Sequence, residues 1–127
     1  MKIIRPKKYL GDTDGSPMSQ ENRIAYRTGG KRVNGSGASD YSKGDVRGVH
    51  GLDGVEFLVE CKQTKHASIS IKWGWLRKIT DEAQAAQCEP ALCIEIKGGE
   101  DDPRVDRDWI AIPLRVFEKI NDVNNLI

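Results

Sequence analysis

The sequence predicts a small α/β domain in which a mixed β-sheet is flanked by helices. Its 127 residues suit one compact domain with a modest core. The apolar run "FLV" at 57–59 predicts a buried strand. Leu76, Ile79, Ala83 and Ala86 form one apolar stripe, which predicts an amphipathic helix after that strand. The predicted order of elements is helix, strand, strand, helix, strand, strand, helix.

The first half is predicted to contain one helix and a hairpin. In "SPMSQENRIAYRTGG", Ser16 is a suitable N-cap and Gly29 a suitable stop, so a helix is expected between them. "KRVNGSGASDYSKGD" is rich in Gly and Ser and predicts a loop. A strand over 45–49, a turn over 51–54 and a strand over 55–62 then form the hairpin.

The second half supplies the remaining helices and strands. "WGWLRKITDEAQAAQ" carries the helical stripe, and Pro90 precedes the apolar strand "ALCIEI". An exposed acidic loop, "GGEDDPRVDRD", leads to the short strand "WIAIP". A closing helix follows, with Val116, Phe117, Ile120 and Val123 expected to face inward. Residues 1–16 are expected to be a basic arm and 17–127 the single folded domain.

Composition argues against several classes of protein. No apolar run approaches 18 residues and the N-terminus lacks a signal peptide's apolar core, so we expect a soluble, cytoplasmic protein without a membrane span. The three cysteines are odd in number and show no CxxC spacing. They predict reduced, mostly buried thiols rather than a disulfide framework or a zinc site.

The net charge of +1 conceals an asymmetry along the chain. Residues 1–80 carry 15 Lys and Arg against 8 Asp and Glu, whereas residues 81–127 carry 5 against 11. A basic first part is typical of a surface that faces a polyanion such as nucleic acid. A chance partition of solvated charges is the alternative.

Four polar residues are predicted to converge at one end of the sheet. Glu60 and Lys62 share a strand face, since side chains two apart point the same way. The hairpin returns Asp45 to the same end, and Glu21 leans toward the buried side of the first helix. Converging carboxylates repel unless a cation lies between them, and oxygen ligands with waters suit Mg²⁺ or Mn²⁺. The plain alternatives are a surface ion pair, a capping aspartate and an ordinary helix acid.

These residues also match a known pattern. Asp45, followed after fourteen residues by "ECK", resembles the D…ExK motif of the PD-(D/E)xK nuclease superfamily, although Gly44 stands in place of the motif's proline. Within it, "ENRIAYRTGGKRVNGSGASDYSKGDV…EFLVECKQT" resembles archaeal and phage Holliday-junction resolvases of the Hjc type. The likeness covers about residues 17–97. It implies a restriction-endonuclease-like fold, with residues 17–127 as the nuclease domain.

The resemblance also implies roles for individual residues. Asp45 and Glu60 would be metal ligands, joined by the backbone carbonyl of Cys61, and Lys62 would be the catalytic amine. The ion would be Mg²⁺ or Mn²⁺.

Two further catalytic residues and a DNA-binding set complete the expectation. Glu21 would hold metal-bound water or a second ion, and Ser36 would contact the scissile region from a mobile loop. Non-specific contacts with phosphates would come from basic and polar residues around the site. The DNA-binding candidates are Arg23, Arg27, Lys31, Arg32, Lys43, Arg47, Gln63, Thr64, Lys65 and Lys72.

We therefore predict a metal-dependent, structure-selective DNA endonuclease that resolves four-way junctions by symmetric cuts as a homodimer. The alternatives are a nuclease of the same fold acting on nicks, flaps or duplex, a non-catalytic DNA-binding module, and an unrelated structural protein. The intact set Asp45, Glu60 and Lys62 favours the enzyme. Trp73 and Trp75 could stack on bases, but packing in the core or a dimer contact is the favoured interpretation.

Overall fold

The computed structural model of the chain describes residues 19–33 and 44–121. Within these two stretches a five-stranded sheet has the spatial order β1-β2-β3-β4-β5. The strands are β1 Lys31–Arg32, β2 Val46–His50, β3 Glu56–Thr64, β4 Glu89–Ile96 and β5 Asp108–Ala111. The helices are α1 Gln20–Thr28, α2 Trp73–Ala85 and α3 Leu114–Asn121.

The sheet is mixed, as predicted. Neighbouring strands are antiparallel except β3 and β4, which run parallel in continuous register from Phe57 opposite Glu89 to Thr64 opposite Ile96. A parallel pair requires a crossover, and α2 lies in the connection between these two strands. The predicted α/β class is therefore confirmed.

The two sheet faces are covered differently. Val116 of α3 packs in the same core as α1, so these helices share one face, called here the α1 face. α2 covers the opposite side, the α2 face. The α1-face core contains Ile24, Ala25, Val46, Val49, Val55, Phe57, Val59, Cys61, Ala91, Cys93 and Val116. The smaller α2-face cluster contains Leu58, Ile79 and Ala83.

The first helix begins later than predicted and ends where predicted. Ser19 is its N-cap, and the Ser19 hydroxyl accepts from the Asn22 N–H at 3.3 Å. The expected cap at Ser16 is therefore wrong, and that residue lies outside the described part of the chain. Gly29 closes the helix with a left-handed φ of 75°, a conformation that glycine adopts without strain.

Two predictions were wrong: the sequence did not predict strand β1, and Phe117 was expected to face inward. β1 lies in the predicted loop, because a two-residue strand has no periodicity to reveal it. Gly30 precedes it and permits close approach, since a Cβ there would meet the Arg47 carbonyl oxygen at 2.7 Å. On α3, Val116 is fully buried but Phe117 is 54% exposed. Val123 lies outside the described residues.

The cysteines are mostly buried, as the composition predicts. Cys61 and Cys93 are buried and Cys88 is half-buried, all as free thiols.

Across residues 19–33 and 44–121, no helix is long and apolar enough to cross a membrane. The predicted boundary between an arm and the domain, at residues 16 and 17, lies outside the described residues.

Candidate active site

Alternation along β3 brings Glu60 and Lys62 to the α2 face. Cys61 between them belongs to the α1-face core, as its position in the strand predicts. Glu60 is only 6% exposed, although it is a carboxylate. The Lys62 Nζ lies 3.5 Å from the Glu60 Oε1. A buried charge of this kind requires compensation by partners, so the surroundings of Glu60 define the site.

The hairpin brings Asp45 to the same place. Val46 pairs with Val59, so Asp45 lies opposite Glu60, and the Asp45 N–H donates to the Val59 carbonyl at 2.8 Å. The Asp45 Oδ2 accepts the Cys61 N–H at 2.7 Å. This carboxylate is thus bound to the backbone link between Glu60 and Lys62, which joins all three motif residues in one structural unit.

Gly44 explains why this chain lacks the motif's proline. Its φ is +72°, whereas a proline ring holds φ near about −65°. A Cβ at Gly44 would lie 2.7 Å from the Leu58 Cγ. The Gly44 N–H also donates to the Glu82 Oε2 at 2.9 Å, a bond that proline lacks the hydrogen to make. Conformation and space therefore favour glycine at this position, and the hydrogen bond additionally excludes proline.

Three carboxylates crowd the site, and two lysines offset part of their charge. Burial, followed by the negative charge of Asp45, raises the pKa of Glu60 above its usual value. Lys78 and Lys62 act in the opposite direction on that pKa, and Glu82 adds a smaller upward contribution. The Lys78 Nζ lies 3.6 Å from Glu60 Oε1 and 3.8 Å from Glu82 Oε1.

The donor set fits a hard divalent ion that retains waters. Asp45 and Glu60 lie opposite each other on neighbouring strands, close enough for the charge of Asp45 to raise the pKa of Glu60 further, beyond the effect of burial. Mg²⁺ is commonly held by one or two carboxylates with water completing its shell. The expected backbone ligand, Cys61, is the residue whose N–H holds Asp45. In the described stretches, no three His, Cys, Asp or Glu side chains form a cluster that could hold a metal ion. Any ion here would rely on the carboxylate pair, a carbonyl and water.

The N-terminal end of α1 approaches the site from the other side of β3. Gln20, 4% exposed, donates its amide to the Lys62 carbonyl at 2.8 Å. Glu21 is half-buried, and its charge is close enough to contribute to the raised pKa of the Cys61 thiol. That pKa is raised mainly by the hydrogen bond with Cys93 and by burial. Glu21 therefore lies near the motif strand, whereas Gln20 makes a direct hydrogen bond from α1 to it.

The basic candidates divide into exposed residues and internally paired ones. Lys31 on β1 lies directly opposite Arg47 on β2, and both are exposed, as is Arg32. Like charges opposite each other on neighbouring strands repel, so a bound anion would relieve this pair. Arg23 instead donates to both oxygens of Asp108, at 3.2 and 2.7 Å, and approaches Glu95 at 3.1 Å.

The other candidates lie near the ends of elements. Arg27 is exposed and lies 3.4 Å from Asp108. Exposed Gln63 is on the opposite strand face from Lys62, while the Thr64 hydroxyl accepts the His66 N–H at 3.1 Å. Lys65 and Lys72 are exposed. Ser36 and Lys43 lie outside the described residues.

α2 contributes residues that sequence reasoning missed or assigned otherwise. Neither Glu82 nor Lys78 is among the catalytic or metal-binding residues predicted from the sequence. Trp75 places its ring 4.8 Å from the Lys62 Nζ. Trp73 is 78% exposed, so it does not pack in the core of this chain. The sequence contains a signal for these residues: positions 75, 78 and 82 repeat at helical spacing beside the apolar stripe, so they lie on one side of the helix.

Comparison with known proteins supports the fold. No protein-family model matches the chain, and no curated protein matches it. Among solved structures it is similar to Hjc from Archaeoglobus fulgidus, described as a Holliday junction resolvase from an archaeal hyperthermophile. The TM-score is 0.55 at 17% identity, over 75% of this chain and 73% of that one. The predicted restriction-endonuclease-like architecture is thereby confirmed.

Proposed function

We propose that this chain is a metal-dependent, structure-selective DNA endonuclease, and specifically a resolvase of four-way junctions. One observation carries the proposal: Asp45 is bound through the Cys61 N–H to the strand segment that presents Glu60 and Lys62. The fold shared with Hjc supports the same conclusion, since that protein is described as a Holliday junction resolvase.

Each motif residue has a chemical task in phosphodiester hydrolysis. Asp45 and Glu60, with the Cys61 carbonyl, would hold Mg²⁺ or Mn²⁺. Such an ion supplies positive charge that polarises a phosphate oxygen and lowers the pKa of a water. Lys62 orients the attacking water or neutralises charge developing on the phosphate, because its ammonium is held between the Glu60 carboxylate and the Trp75 ring.

The two outer catalytic candidates keep their proposed tasks. Glu21 on α1 would bind metal-associated water or a second ion from the α1 side of the motif strand. Ser36 would contact the scissile region. Removal of Glu21 is expected to have a smaller effect than removal of Asp45, because the direct backbone contact from this helix is made by Gln20.

DNA would be held through its backbone rather than by its sequence. Lys31, Arg32 and Arg47 form an exposed basic edge, and Lys65 and Lys72 extend the set of exposed cations. Contacts of this kind give affinity for phosphates and fall with salt. Arg23 is assigned to the protein interior, because its guanidinium is already bound by two carboxylates.

Symmetric cutting requires two active sites related by a two-fold axis. We therefore propose a homodimer, which is also the commonest closed assembly of identical chains. Location in the cytoplasm stays a prediction from the sequence. For a phage-encoded protein this would be the cytoplasm of the host cell.

The experiment compares a synthetic four-way junction with a linear duplex of the same arm sequences, in Mg²⁺ and in EDTA. We expect paired symmetric nicks in the junction alone, abolished by EDTA and by Lys62→Met. Lys119→Met is the matched control, because Lys119 is exposed on α3 over the opposite face. It should cut like the parent.

Other outcomes identify the alternatives. Equal cutting of the duplex would replace junction resolution with a broader nuclease of the same fold. Binding of the junction without cutting, in Mg²⁺ and in Mn²⁺, would indicate a non-catalytic DNA-binding module.

A further inference from the structure

α2 carries two stripes with different partners. Ile79 and Ala83 pack with Leu58 in the apolar cluster that docks the helix on the sheet. Trp75, Lys78 and Glu82 repeat at spacings of three and four, so they form a neighbouring stripe along the same helix. The second stripe contributes nothing to the apolar cluster.

Each member of this polar stripe contacts a different part of the candidate site. The Trp75 ring lies 4.8 Å from the Lys62 Nζ, within the range of a cation–π contact. The Lys78 Nζ lies 3.6 Å from the Glu60 Oε1. The third member, Glu82, binds the backbone just before Asp45, as described above.

Glu82 makes the most directional of these contacts. Its side chain is 10% exposed, and its Oε2 accepts the Gly44 N–H at 2.9 Å. A hydrogen bond from an N–H to a carboxylate is stronger than one between neutral groups. Gly44 is joined to Asp45 by one peptide bond, so this contact restricts the backbone that carries the carboxylate. The next contact along the chain is the Asp45 N–H to the Val59 carbonyl.

We propose that α2 positions the candidate catalytic residues and that Glu82 is its principal positioning residue, fixing the Gly44–Asp45 backbone. Trp75 and Lys78 restrain Lys62 and Glu60 in the same way. The proposal rests on the proposed nuclease function and extends it, because the D…ExK motif contains no residue of this helix. Glu82 acts through Asp45 and touches neither phosphate nor attacking water.

Two Glu82 variants and one control separate positioning from helix docking. Glu82→Ala removes the acceptor, Glu82→Gln keeps an acceptor oxygen without the charge, and Asp81→Ala removes an exposed acid from the same helix. Single-turnover cleavage of the four-way junction is measured at saturating enzyme. Because small displacements of reacting groups can cost about a hundredfold in rate, we expect Glu82→Ala to be roughly 10- to 100-fold slower.

The conservative variant and the control should differ from Glu82→Ala. Glu82→Gln should stay within about fivefold of the parent, since a neutral hydrogen bond retains part of the restraint. Asp81→Ala should match the parent. The junction Kd measured in EDTA should change by less than about threefold in all three, because Glu82 makes no DNA contact in this proposal.

Amide hydrogen exchange at Gly44 provides a readout independent of cleavage. Exchange of the Gly44 N–H should accelerate by about tenfold in Glu82→Ala, as expected for losing roughly 1.4 kcal/mol of protection. It should stay near the parental rate in Glu82→Gln and Asp81→Ala. Unchanged exchange in Glu82→Ala would overturn the positioning role, whatever the cleavage rate.

The failure of this inference can be told from failure of the function. If the parent cuts, Lys62→Met does not, and Glu82→Ala cuts at the parental rate, only the positioning role is wrong. If Glu82→Gln cuts the junction as slowly as Glu82→Ala, the positioning role is also overturned. This conclusion holds even where Glu82→Ala folds poorly. If the parent leaves the junction intact in Mg²⁺ and Mn²⁺, the proposed function fails and this inference fails with it.

Discussion

The two faces of the sheet differ in the kind of side chain that the central strand β3 places on them. On the α1 face, Phe57, Val59 and Cys61 enter a continuous apolar core. On the α2 face, Leu58 is followed by Glu60 and Lys62, so burial of apolar surface stops after one residue. The α1 side of β3 therefore contributes apolar contacts to the core. The α2 side carries charged residues at its last positions, Glu60 and Lys62.

The charged rims of the two faces differ in the same way. On the α1 side, Arg23 contacts Asp108 and Glu95, and Arg27 lies 3.4 Å from Asp108, so two bases meet two acids. On the α2 side, Lys62 contacts Glu60, whereas Lys78 is shared between Glu60 and Glu82. Burial, followed by the charge of Asp45, keeps the pKa of Glu60 raised. The first cluster is a structural ion pair. The second has three carboxylates, Asp45, Glu60 and Glu82, against two lysines, and an excess of carboxylate charge is typical of a site that accepts a cation.

The largest expected effect tests the α2 face directly. Asp45→Asn keeps an acceptor for the Cys61 N–H but removes one charge beside Glu60. Because charge stabilisation by a metal is worth several kcal/mol, junction cleavage should fall at least about a hundredfold. The Tm should be unchanged or higher, since a like-charge repulsion is removed. A parallel loss of Tm and cleavage would make Asp45 a structural residue.

Gly44 should be the most sensitive backbone position at the site. Gly44→Ala combines a left-handed φ with a clash against Leu58, and we expect a loss of roughly 2–4 kcal/mol in the free energy of unfolding. Gly48→Ala is the control, because Gly48 has a φ of +73° with nothing within 4 Å of the added carbon. It should cost only about 1–2 kcal/mol. Equal losses in urea unfolding would contradict the clash.

A core substitution on the opposite face should affect stability alone. Val116 is fully buried, and Val116→Ala should lower the free energy of unfolding by roughly 1–3 kcal/mol. Cleavage measured well below the Tm should be unchanged. The neighbouring Phe117→Ala is the comparison, since Phe117 is 54% exposed and should cost less despite its larger side chain. A cleavage defect in Val116→Ala would show that the faces are not separable.

The contact between Trp75 and Lys62 should give a moderate effect on rate. A cation–π contact is worth about 0.5–1 kcal/mol when exposed and about 2 kcal/mol when desolvated. Trp75→Leu should therefore slow cleavage by roughly two- to thirtyfold. Trp73→Leu is the control for cleavage at saturating enzyme, because Trp73 is 78% exposed in the first turn of the same helix. The reverse ranking would assign the important aromatic contact to Trp73.

The smallest effect concerns an ion pair remote from the motif. Arg115 donates to both oxygens of Glu89, at 2.7 and 2.9 Å, and this hydrogen bonding lowers the pKa of Glu89. A lowered folded-state pKa stabilises the protein above the ordinary carboxyl pKa, and this contribution is lost as pH falls through the folded value.

Arg115→Met should therefore be slightly less stable than the parent near pH 7, and the difference should shrink toward pH 3 as Glu89 is protonated. The effect is expected to be the smallest of this series, because Arg115 is largely exposed. Chemical unfolding at both pH values measures it. A difference that grows with acid would contradict the assigned pKa direction.

Local sequence signals were enough for the fold class and for the motif strand. Alternation assigned Cys61 to the core and Glu60 to the opposite face, because a strand has a period of two whatever surrounds it. Gly29 marked the end of α1 through its own conformational freedom. The same signals misplaced the helix start and missed β1, since several serines could cap and two residues carry no period.

Contacts between distant parts of the chain required the folded arrangement. Gly44 and Glu82 are separated by 38 positions, and Arg23 and Asp108 by 85. Helical spacing places Glu82 beside the apolar stripe, but nothing local to it identifies Gly44 as its partner. Nothing local to Arg23 distinguishes it from a DNA-facing arginine. The crossover of α2 and the docking of α1 across the sheet choose these partners, because they determine which side chains come within hydrogen-bonding distance.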